Sequence, residues 1–212
     1  KMLFTSHNID YVMYIMSVNE AKVVFLGRAA VGKTSIIEHY CRKTFCEFQE
    51  PTIGAAFNTV NIPTTPESTR IGIWDTAGQE RYDSLCPMYY RNAACAVIVY
   101  DVTDRESLAK ANHWLTTLHK DFPDTSLILV GNKIDLQESR VIQYEYAHEI
   151  AQDFMAGFYE VSGKSGEGLD VFFRRIGNIV RSKMDSHVIQ ISKLHKDKPE
   201  RDWCYLHFNK CC

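Results

Sequence analysis

The chain has 212 residues, of which 45% are hydrophobic and 24% are charged, a balance that is typical of globular proteins and excludes wholesale disorder. At about 150 residues per domain, this length predicts one core domain with a remainder. The formal net charge of −2 excludes a generally basic nucleic-acid-binding protein, and we expect no nucleic acid among its partners.

Residues 1–19 precede the first predicted strand. Their apolar stretches are interrupted by His7, Asn8 and Asp10, which disfavours the alternative interpretation of a secretory signal peptide. We expect the working domain to start near Met16 and the extension before it to be dispensable.

The segments that follow alternate between short apolar runs and helical periodicity. The runs at 22–26, 71–74, 94–100, 126–130 and 158–161 are mostly apolar throughout, which is typical of parallel strands buried on both faces. Residues 54–62 alternate and lead to Pro63, so they predict an edge strand. Residues 20–184 are therefore predicted to form a doubly wound α/β domain, with a mostly parallel sheet flanked by helices.

Two helices have clear sequence signals. Thr103 and Glu106 have capping-box spacing before an apolar stripe that ends at Phe122. A second stripe begins at Leu169 and predicts a long final helix that ends near Met184. Residues 185–212 are polar and mixed in charge, and we expect them to form a flexible tail.

A phosphate-binding loop is predicted directly after the first strand. Residues 27–34 match G-x-x-x-x-G-K-[ST], in which backbone N–H groups surround a phosphate chain. Lys33 is expected to reach the β- and γ-phosphates, and the Thr34 hydroxyl to ligate Mg²⁺. The residues assigned to nucleotide binding here are Gly27, Ala29, Ala30, Val31, Gly32, Lys33, Thr34 and Ser35.

Asp75 and Gly78 follow the predicted strand at 71–74. A carboxylate there is suited to hold Mg²⁺ through water, and the Gly78 N–H to meet a γ-phosphate, because the absent Cβ permits close approach. Taken alone, Asp-x-x-Gly is a common turn and weak evidence.

Asn132, Lys133 and Asp135 follow a third strand. Asp135 is suited to accept hydrogen bonds from guanine N1–H and the 2-amino group, whereas adenine would leave the carboxylate unpaired; this disfavours an adenine-nucleotide kinase. In isolation, a helix-capping Asp in a solvated loop is the alternative. Ser162, Gly163 and Lys164 follow the last strand, and a backbone N–H there is suited to guanine O6.

All four motifs come at carboxyl ends of predicted strands. In an open parallel sheet these ends lie together at one edge, where ligands bind. The sequence therefore predicts a guanine-nucleotide site that takes GTP or GDP with Mg²⁺.

These motifs resemble those of the Ras superfamily of small GTPases. Residues 53–57 (IGAAF), 74–82 (WDTAGQERY) and 87–91 (PMYYR) are similar to the Rab family, and most of all to its early-endosomal branch. The resemblance implies a monomeric switch that hydrolyses GTP slowly and controls endosomal vesicle traffic and fusion. The alternative that stays open is a GTP-binding recruitment scaffold with little hydrolysis, or a Rab of another compartment.

The resemblance also implies roles for individual residues. Thr52 would bind Mg²⁺ and the γ-phosphate, Phe45 would pack against guanine, and Gln79 would position the attacking water; Lys33 would join Thr52 and Gln79 in catalysis. An aromatic triad would bind effectors, with ordinary core packing as its alternative: Phe57, Trp74 and Tyr89.

Three positions depart from the usual pattern. Ala29 and Ala30 replace glycines of Ras-type loops, and Gly163 replaces the alanine of the guanine-contacting motif. The direction of Arg28, which also lies in the loop, is not predicted by the sequence.

Seven cysteines without Cys-x-x-Cys spacing predict a reduced cytosolic protein with small buried thiols. The terminal Cys211 and Cys212 resemble a double-prenylation signal, with untouched thiols as the alternative; two lipid chains would anchor the chain stably on the cytoplasmic face of endosomes. The implied partners are an exchange factor, a GTPase-activating protein, a GDP-dissociation inhibitor, a prenylation escort and tethering effectors.

Overall fold

The described residues form one twisted sheet with helices on both faces. A computed structural model describes residues 21–78 and 89–196, with side chains up to residue 186. The sheet has six strands in the order β2-β3-β1-β4-β5-β6, and only β2 runs antiparallel to its neighbour. The strands are β1 (Ala21–Leu26), β2 (Ala55–Ile62), β3 (Thr69–Thr76), β4 (Cys95–Asp101), β5 (Ser126–Asn132) and β6 (Gly157–Glu160).

Within residues 21–78 and 89–196, four helices cover the two faces. They are α1 (Lys33–Arg42), α2 (Arg105–Asp121), α3 (Tyr144–Asp153) and α4 (Leu169–Lys196), with a short 3-10 turn at Gln137–Ser139. One apolar core packs α1 and α4 against the sheet, and Phe172 and Phe173 lie fully buried within it. The other core packs α2 and α3 on the opposite face around Leu115 and Ala151. The doubly wound α/β fold is confirmed.

The strand register brings the predicted motifs to one edge of the sheet. Phe25, one residue before the end of β1, pairs with Asp75 in β3. Asp101, the last residue of β4, pairs with Asn132, the last residue of β5. The loops that follow these strands therefore meet on the same side, as expected for parallel neighbours.

The start of α2 differs from the predicted capping box. Its N-cap is Asp104, whose side chain accepts a hydrogen bond from the Glu106 N–H. The Thr103 hydroxyl instead donates to Asp101 Oδ1 at 2.7 Å. Because the Thr103 hydroxyl is hydrogen-bonded to the buried Asp101 carboxylate, it does not cap α2. The prediction of Thr103 as the cap was wrong.

The final helix continues beyond the predicted end at Met184 and reaches Lys196. Arg181 pairs with Asp185 across one turn at 3.2 Å, and the Ser186 hydroxyl donates to the Ser182 carbonyl at 2.8 Å. Such contacts between successive turns support the helix. In the sequence, Val188, Ile191 and Leu194 also continue the helical spacing of its apolar residues. The part of the predicted tail before residue 197 is therefore helical, and the rest lies outside the described residues.

Two further differences concern α3 and the cysteines. α3, which was not predicted, is a short helix with only Ala147 and Ala151 buried. Cys95 is buried as expected, whereas Cys41 and Cys46 are free and exposed. The two lie on the last turn of α1 and in the loop after it, where the chain leaves the core.

No helix within residues 21–78 and 89–196 has the length and apolar character needed to cross a membrane.

Candidate functional site

A cavity of about 440 Å³ opens at the carboxyl edge of the sheet. Most of the residues that the sequence assigned to a nucleotide line it. These are Ala29, Ala30, Gly32, Lys33, Thr34, Ser35, Phe45, Thr52, Gly78, Asn132, Lys133, Asp135, Gly163 and Lys164. Residues from five loops that are distant in sequence therefore share one concave surface.

The loop between β1 and α1 needs glycine at two points for steric reasons. Gly27 has a φ of +142°, and a Cβ on it would lie 2.2 Å from the Val99 carbonyl oxygen. Gly32 has a φ of +91°, and a Cβ there would lie 2.3 Å from Asn132 Nδ2. Ala30, which replaces a glycine of Ras-type loops, adopts a φ of +63° despite its side chain.

Lys33 lies inside this loop. Its side chain is 5% exposed, and its Nζ donates to the carbonyl oxygens of Gly27 at 2.9 Å and of Arg28 at 3.1 Å. The ammonium is thus held on the loop's own carbonyls, where the N-terminus of α1 adds positive potential. This arrangement favours an anion in the cavity beside it.

Three oxygen-bearing side chains meet beside Lys33. Thr34 Oγ1 donates to Asp75 Oδ2 at 2.6 Å and lies 3.1 Å from Thr52 Oγ1. Asp75 is 1% exposed, and burial raises the pKa of its carboxyl above the usual value, against the opposing effect of Thr34 and Lys33. Its Oδ1 is buried and has no hydrogen-bond partner among the described residues.

An orphaned carboxylate oxygen beside two hydroxyls is a set of hard oxygen donors. Mg²⁺ prefers such ligands and usually keeps several waters. A buried carboxylate oxygen without a partner is costly, and a divalent cation would satisfy it. The residues present therefore fit a magnesium ion.

The loop after β5 is tied to its neighbours by Asn132. Its Nδ2 donates to the Val31 carbonyl at 2.8 Å, and its Oδ1 accepts the Gly163 N–H at 2.9 Å. The Gly163 N–H, expected at guanine O6, is thus directed at Asn132 in the described geometry. Asn132 connects the phosphate loop with the loop after β6.

Lys133 and Asp135 are also held in place. Lys133, with a φ of +68°, pairs with Asp101 Oδ2 at 2.6 Å. Asp135 Oδ1 accepts from the Ser162 hydroxyl at 2.6 Å. The helix-capping alternative does not hold, because the N-cap of the following 3-10 turn is Leu136.

Phe45 and Lys164 face each other across the mouth of the cavity. Phe45 is 40% exposed, and Lys164 Nζ lies 6.0 Å from the centre of its ring. Both residues line the cavity, so an exposed aromatic face and an ammonium group are available there to a planar group.

Sequence reasoning missed two residues that support this site. Asp101 holds Lys133 and Thr103 from the end of β4. Gln49 accepts from the Ser35 hydroxyl at 3.0 Å and donates to Glu38, which links the loop after α1 to α1 itself. The only sequence signal for Asp101 is that it is an acidic residue at the end of an apolar run. Nothing in the local sequence marks Gln49.

The aromatic triad forms a contiguous cluster away from the cavity. The rings of Phe57 and Trp74 are 5.3 Å apart, and those of Trp74 and Tyr89 are 5.9 Å apart. Phe57 is 52% exposed, and the other two are partly exposed. The exposure disfavours ordinary core packing for Phe57, whereas Trp74 and Tyr89 also pack against the core that contains α2 and α3.

Gln79, Cys211 and Cys212 lie outside the described residues, so their predicted roles have no structural counterpart here.

The comparisons with known proteins agree with this geometry. The model of the Ras family matches residues 22–182. The chain belongs to the Ras family. "GTP-binding protein ypt5" of Schizosaccharomyces pombe is 44% identical over 165 residues, which are 76% of this chain and 78% of that protein.

Two plant relatives are similar at nearly the same level. "Ras-related protein Rab5" of Nicotiana tabacum is 42% identical over 165 residues, or 77% of this chain and 82% of that protein. "Ras-related protein Rab5A" of Oryza sativa subsp. japonica is 42% identical over 160 residues, or 75% and 79%. This Ras-family chain is a Rab small GTPase of the early-endosomal branch.

As a member of this family, the chain binds guanine nucleotide, hydrolyses GTP and acts as a switch in endosomal trafficking. Membership also implies that regulators and effectors act on it.

Proposed function

We propose that GTP and Mg²⁺ bind in the cavity at the carboxyl edge of the sheet, and that hydrolysis there switches the adjoining loops. The observation that carries this proposal is the unpaired Oδ1 of Asp75, whose Oδ2 accepts from Thr34, beside the hydroxyl of Thr52 and the buried ammonium of Lys33. The phosphates of a nucleotide supply negative charge beside the Lys33 ammonium, and the cation supplies positive charge beside the unpaired oxygen of Asp75.

The phosphate chain is bound by the loop between β1 and α1. Lys33 holds the β- and γ-phosphates with its ammonium, and backbone N–H groups from Ala29 to Ser35 surround them. The hydroxyls of Thr34 and Thr52 and the carboxylate of Asp75 are the groups that would hold Mg²⁺ there. When bound, the cation neutralises charge on the β- and γ-phosphate oxygens.

The base is bound by the loops after β5 and β6. Asp135 accepts from guanine N1–H and the 2-amino group, while Phe45 and Lys164 enclose the ring. Ser162 supports this role, because its hydroxyl fixes one oxygen of Asp135 at 2.6 Å. Asn132 and Gly163 keep the two loops at a constant separation.

Hydrolysis is in-line transfer of the γ-phosphoryl group to water. Gln79 orients that water, and the N–H groups of Thr52 and Gly78 hold the γ-phosphate before it leaves. Loss of the γ-phosphate removes the anchor of both loops, which then relax.

The loops and the triad of Phe57, Trp74 and Tyr89 form the surface for tethering effectors, because exposed aromatic clusters mark docking sites. An exchange factor and a GTPase-activating protein act on the loops. Residues 185–212 tether the domain, and lipids on Cys211 and Cys212 anchor it to endosomal membranes. Attachment of these lipids needs a prenylation escort. Removal of the lipid-bearing chain from the membrane needs a GDP-dissociation inhibitor.

Single-turnover release of phosphate tests the catalytic assignment. The chain is loaded with GTP in EDTA, and the reaction is started with Mg²⁺. We expect slow release that needs Mg²⁺ and is abolished by Gln79→Leu, with the exposed Gln137→Leu as a matched control. Equal rates in Gln79→Leu and the parent chain would contradict the role of Gln79.

Imaging of a tagged chain tests the anchor. The intact chain is expected on endosomes, and the variant with both Cys211→Ser and Cys212→Ser in the cytosol. Plasma-membrane, Golgi or diffuse signal from the intact chain would contradict the proposed localisation.

A further inference from the structure

Arg28 is the second residue of the phosphate-binding loop, and its side chain points away from the cavity. Its Nη1 lies 2.8 Å from Asp104 Oδ2, and its Nη2 lies 2.8 Å from Glu106 Oε2. Each arm of the guanidinium therefore has its own carboxylate, which fixes the orientation of the planar group. In this position Arg28 is not an arginine finger.

The two carboxylates belong to a well-anchored helix start. Asp104 caps α2 through the Glu106 N–H at 2.9 Å. The Ser107 hydroxyl, fully buried, donates to the Asp104 carbonyl at 2.6 Å. The acids also offset the positive end of the helix dipole, which would otherwise repel a guanidinium. Arg28 is thus attached to a rigid support outside the loop.

The main chain of Arg28 faces the opposite way, into the nucleotide site. Its carbonyl oxygen accepts from Lys33 Nζ at 3.1 Å. A Cβ on Gly78 would lie 2.4 Å from the Arg28 carbonyl carbon and 2.3 Å from the Ala29 nitrogen. The peptide between Arg28 and Ala29 therefore contacts both the phosphate-binding lysine and the glycine assigned to the γ-phosphate.

We propose that Arg28 is a positioning residue: by bridging to Asp104 and Glu106, it holds this peptide in place and slows release of bound nucleotide. The inference rests on the proposed nucleotide site. If the loop is free to shift at Arg28, Lys33 and Ala29, which lies beside Gly78, shift with it. The phosphates then lose their fixed surroundings, and the nucleotide dissociates faster.

The test measures dissociation of a fluorescent GDP analogue in Mg²⁺ from the full chain and its variants. Exposed ion pairs are worth little individually, so Arg28→Ala and Glu106→Gln are expected to speed dissociation by about two- to fivefold. Arg28→Lys, with one ammonium for two acids, is expected to fall between Arg28→Ala and the parent. The matched control is Glu67→Gln, which removes the 3.4 Å pair with Arg181 far from the loop, and it should leave the rate unchanged.

Salt separates positioning by charge from lost packing of the arginine stem. Since salt screens exposed pairs, the ratio of variant to parent rates should fall towards one between 0.05 and about 1 M NaCl. Equal rates at low salt, or a ratio that salt does not alter, would overturn the role of Arg28. If Arg28→Ala fails to fold, the isosteric Glu106→Gln decides. A parent chain that binds no GDP at all would instead overturn the proposed function, and the inference with it.

Discussion

Tyr100 has a buried hydroxyl without a hydrogen-bond partner among the described residues. Its side chain is fully buried in β4, and burial raises the pKa of the phenol, with Glu160 adding to the effect. Tyr100→Phe removes an unsatisfied polar atom and keeps the ring. We expect it to raise the free energy of unfolding by about 1 kcal/mol in urea titrations. Tyr146→Phe at an exposed position is the control, and a loss of stability in Tyr100→Phe would contradict this interpretation.

Cys95 predicts a specific pH dependence of stability. Burial raises the pKa of its thiol from 9.0 to about 12. Because the folded state favours the neutral thiol, its contribution is complete below pH 9 and is lost as the pH rises towards 12. Relative to Cys95→Val, the parent chain should lose about 1 kcal/mol of unfolding free energy between pH 7 and 10. Parallel pH profiles for the two proteins would contradict the buried neutral thiol.

At the scale of residues, the sequence predicted the site residues whose positions are set by a short local motif. Lys33 and Thr34 follow two glycines at constant spacing, and Asp135 follows Asn132 in a short loop. The direction of Arg28 was not predictable, because its partners lie 76 or more positions away in the chain. The same is true of Asp101, whose role depends on β4 and β5 being neighbours.

Among the elements, α2 depends on one N-cap. Asp104 satisfies the Glu106 N–H, so Asp104→Ala should lower the free energy of unfolding by about 1 kcal/mol. Asp104→Asn keeps a good cap and is the matched control, expected near the parent value. Equal stability of the alanine and asparagine variants in urea would contradict the cap.

The segment before α3 is joined to β6 by an ion pair. Arg140 contacts Glu160 at 2.7 and 2.9 Å, with side chains 13% and 14% exposed, and this hydrogen bonding raises the pKa of Arg140 further. Losing one partner leaves a largely buried charge, so Arg140→Met should cost about 2 kcal/mol or more. The double variant with Glu160→Met should cost less than the sum of the single variants, and strict additivity would contradict the coupling.

Elements with a strong apolar pattern were predictable, and those without one were not. The central strands are buried on both faces, so their apolar runs marked them. α3 has only ten residues and its buried residues are two alanines, so it lacks the run of large apolar side chains that marks the other elements. The end of α4 was misplaced because the apolar spacing continues through Val188, Ile191 and Leu194 within a polar stretch of mixed charge.

At the scale of the whole molecule, the parallel sheet is what assembles the site. The cavity is lined by loops that follow β1, β3, β5 and β6, so a ligand there connects both halves of the sheet. A nucleotide bound only by the folded state must stabilise it by mass action. EDTA and removal of nucleotide should therefore lower the melting temperature. GDP with Mg²⁺ should restore it, and ADP with Mg²⁺ should not; equal recovery with ADP would contradict selective guanine binding.

The most direct test of guanine recognition is a change of nucleotide specificity. Asp135 is held by Ser162 at 2.6 Å in the cavity, and its role is to pair with guanine N1–H and the 2-amino group. In equilibrium binding, Asp135→Asn should lose affinity for GDP and gain affinity for XDP, because an amide complements the 2-oxo group of xanthine. The exposed Asp153→Asn should bind GDP like the parent chain. Unchanged preference for GDP over XDP in Asp135→Asn would contradict the account.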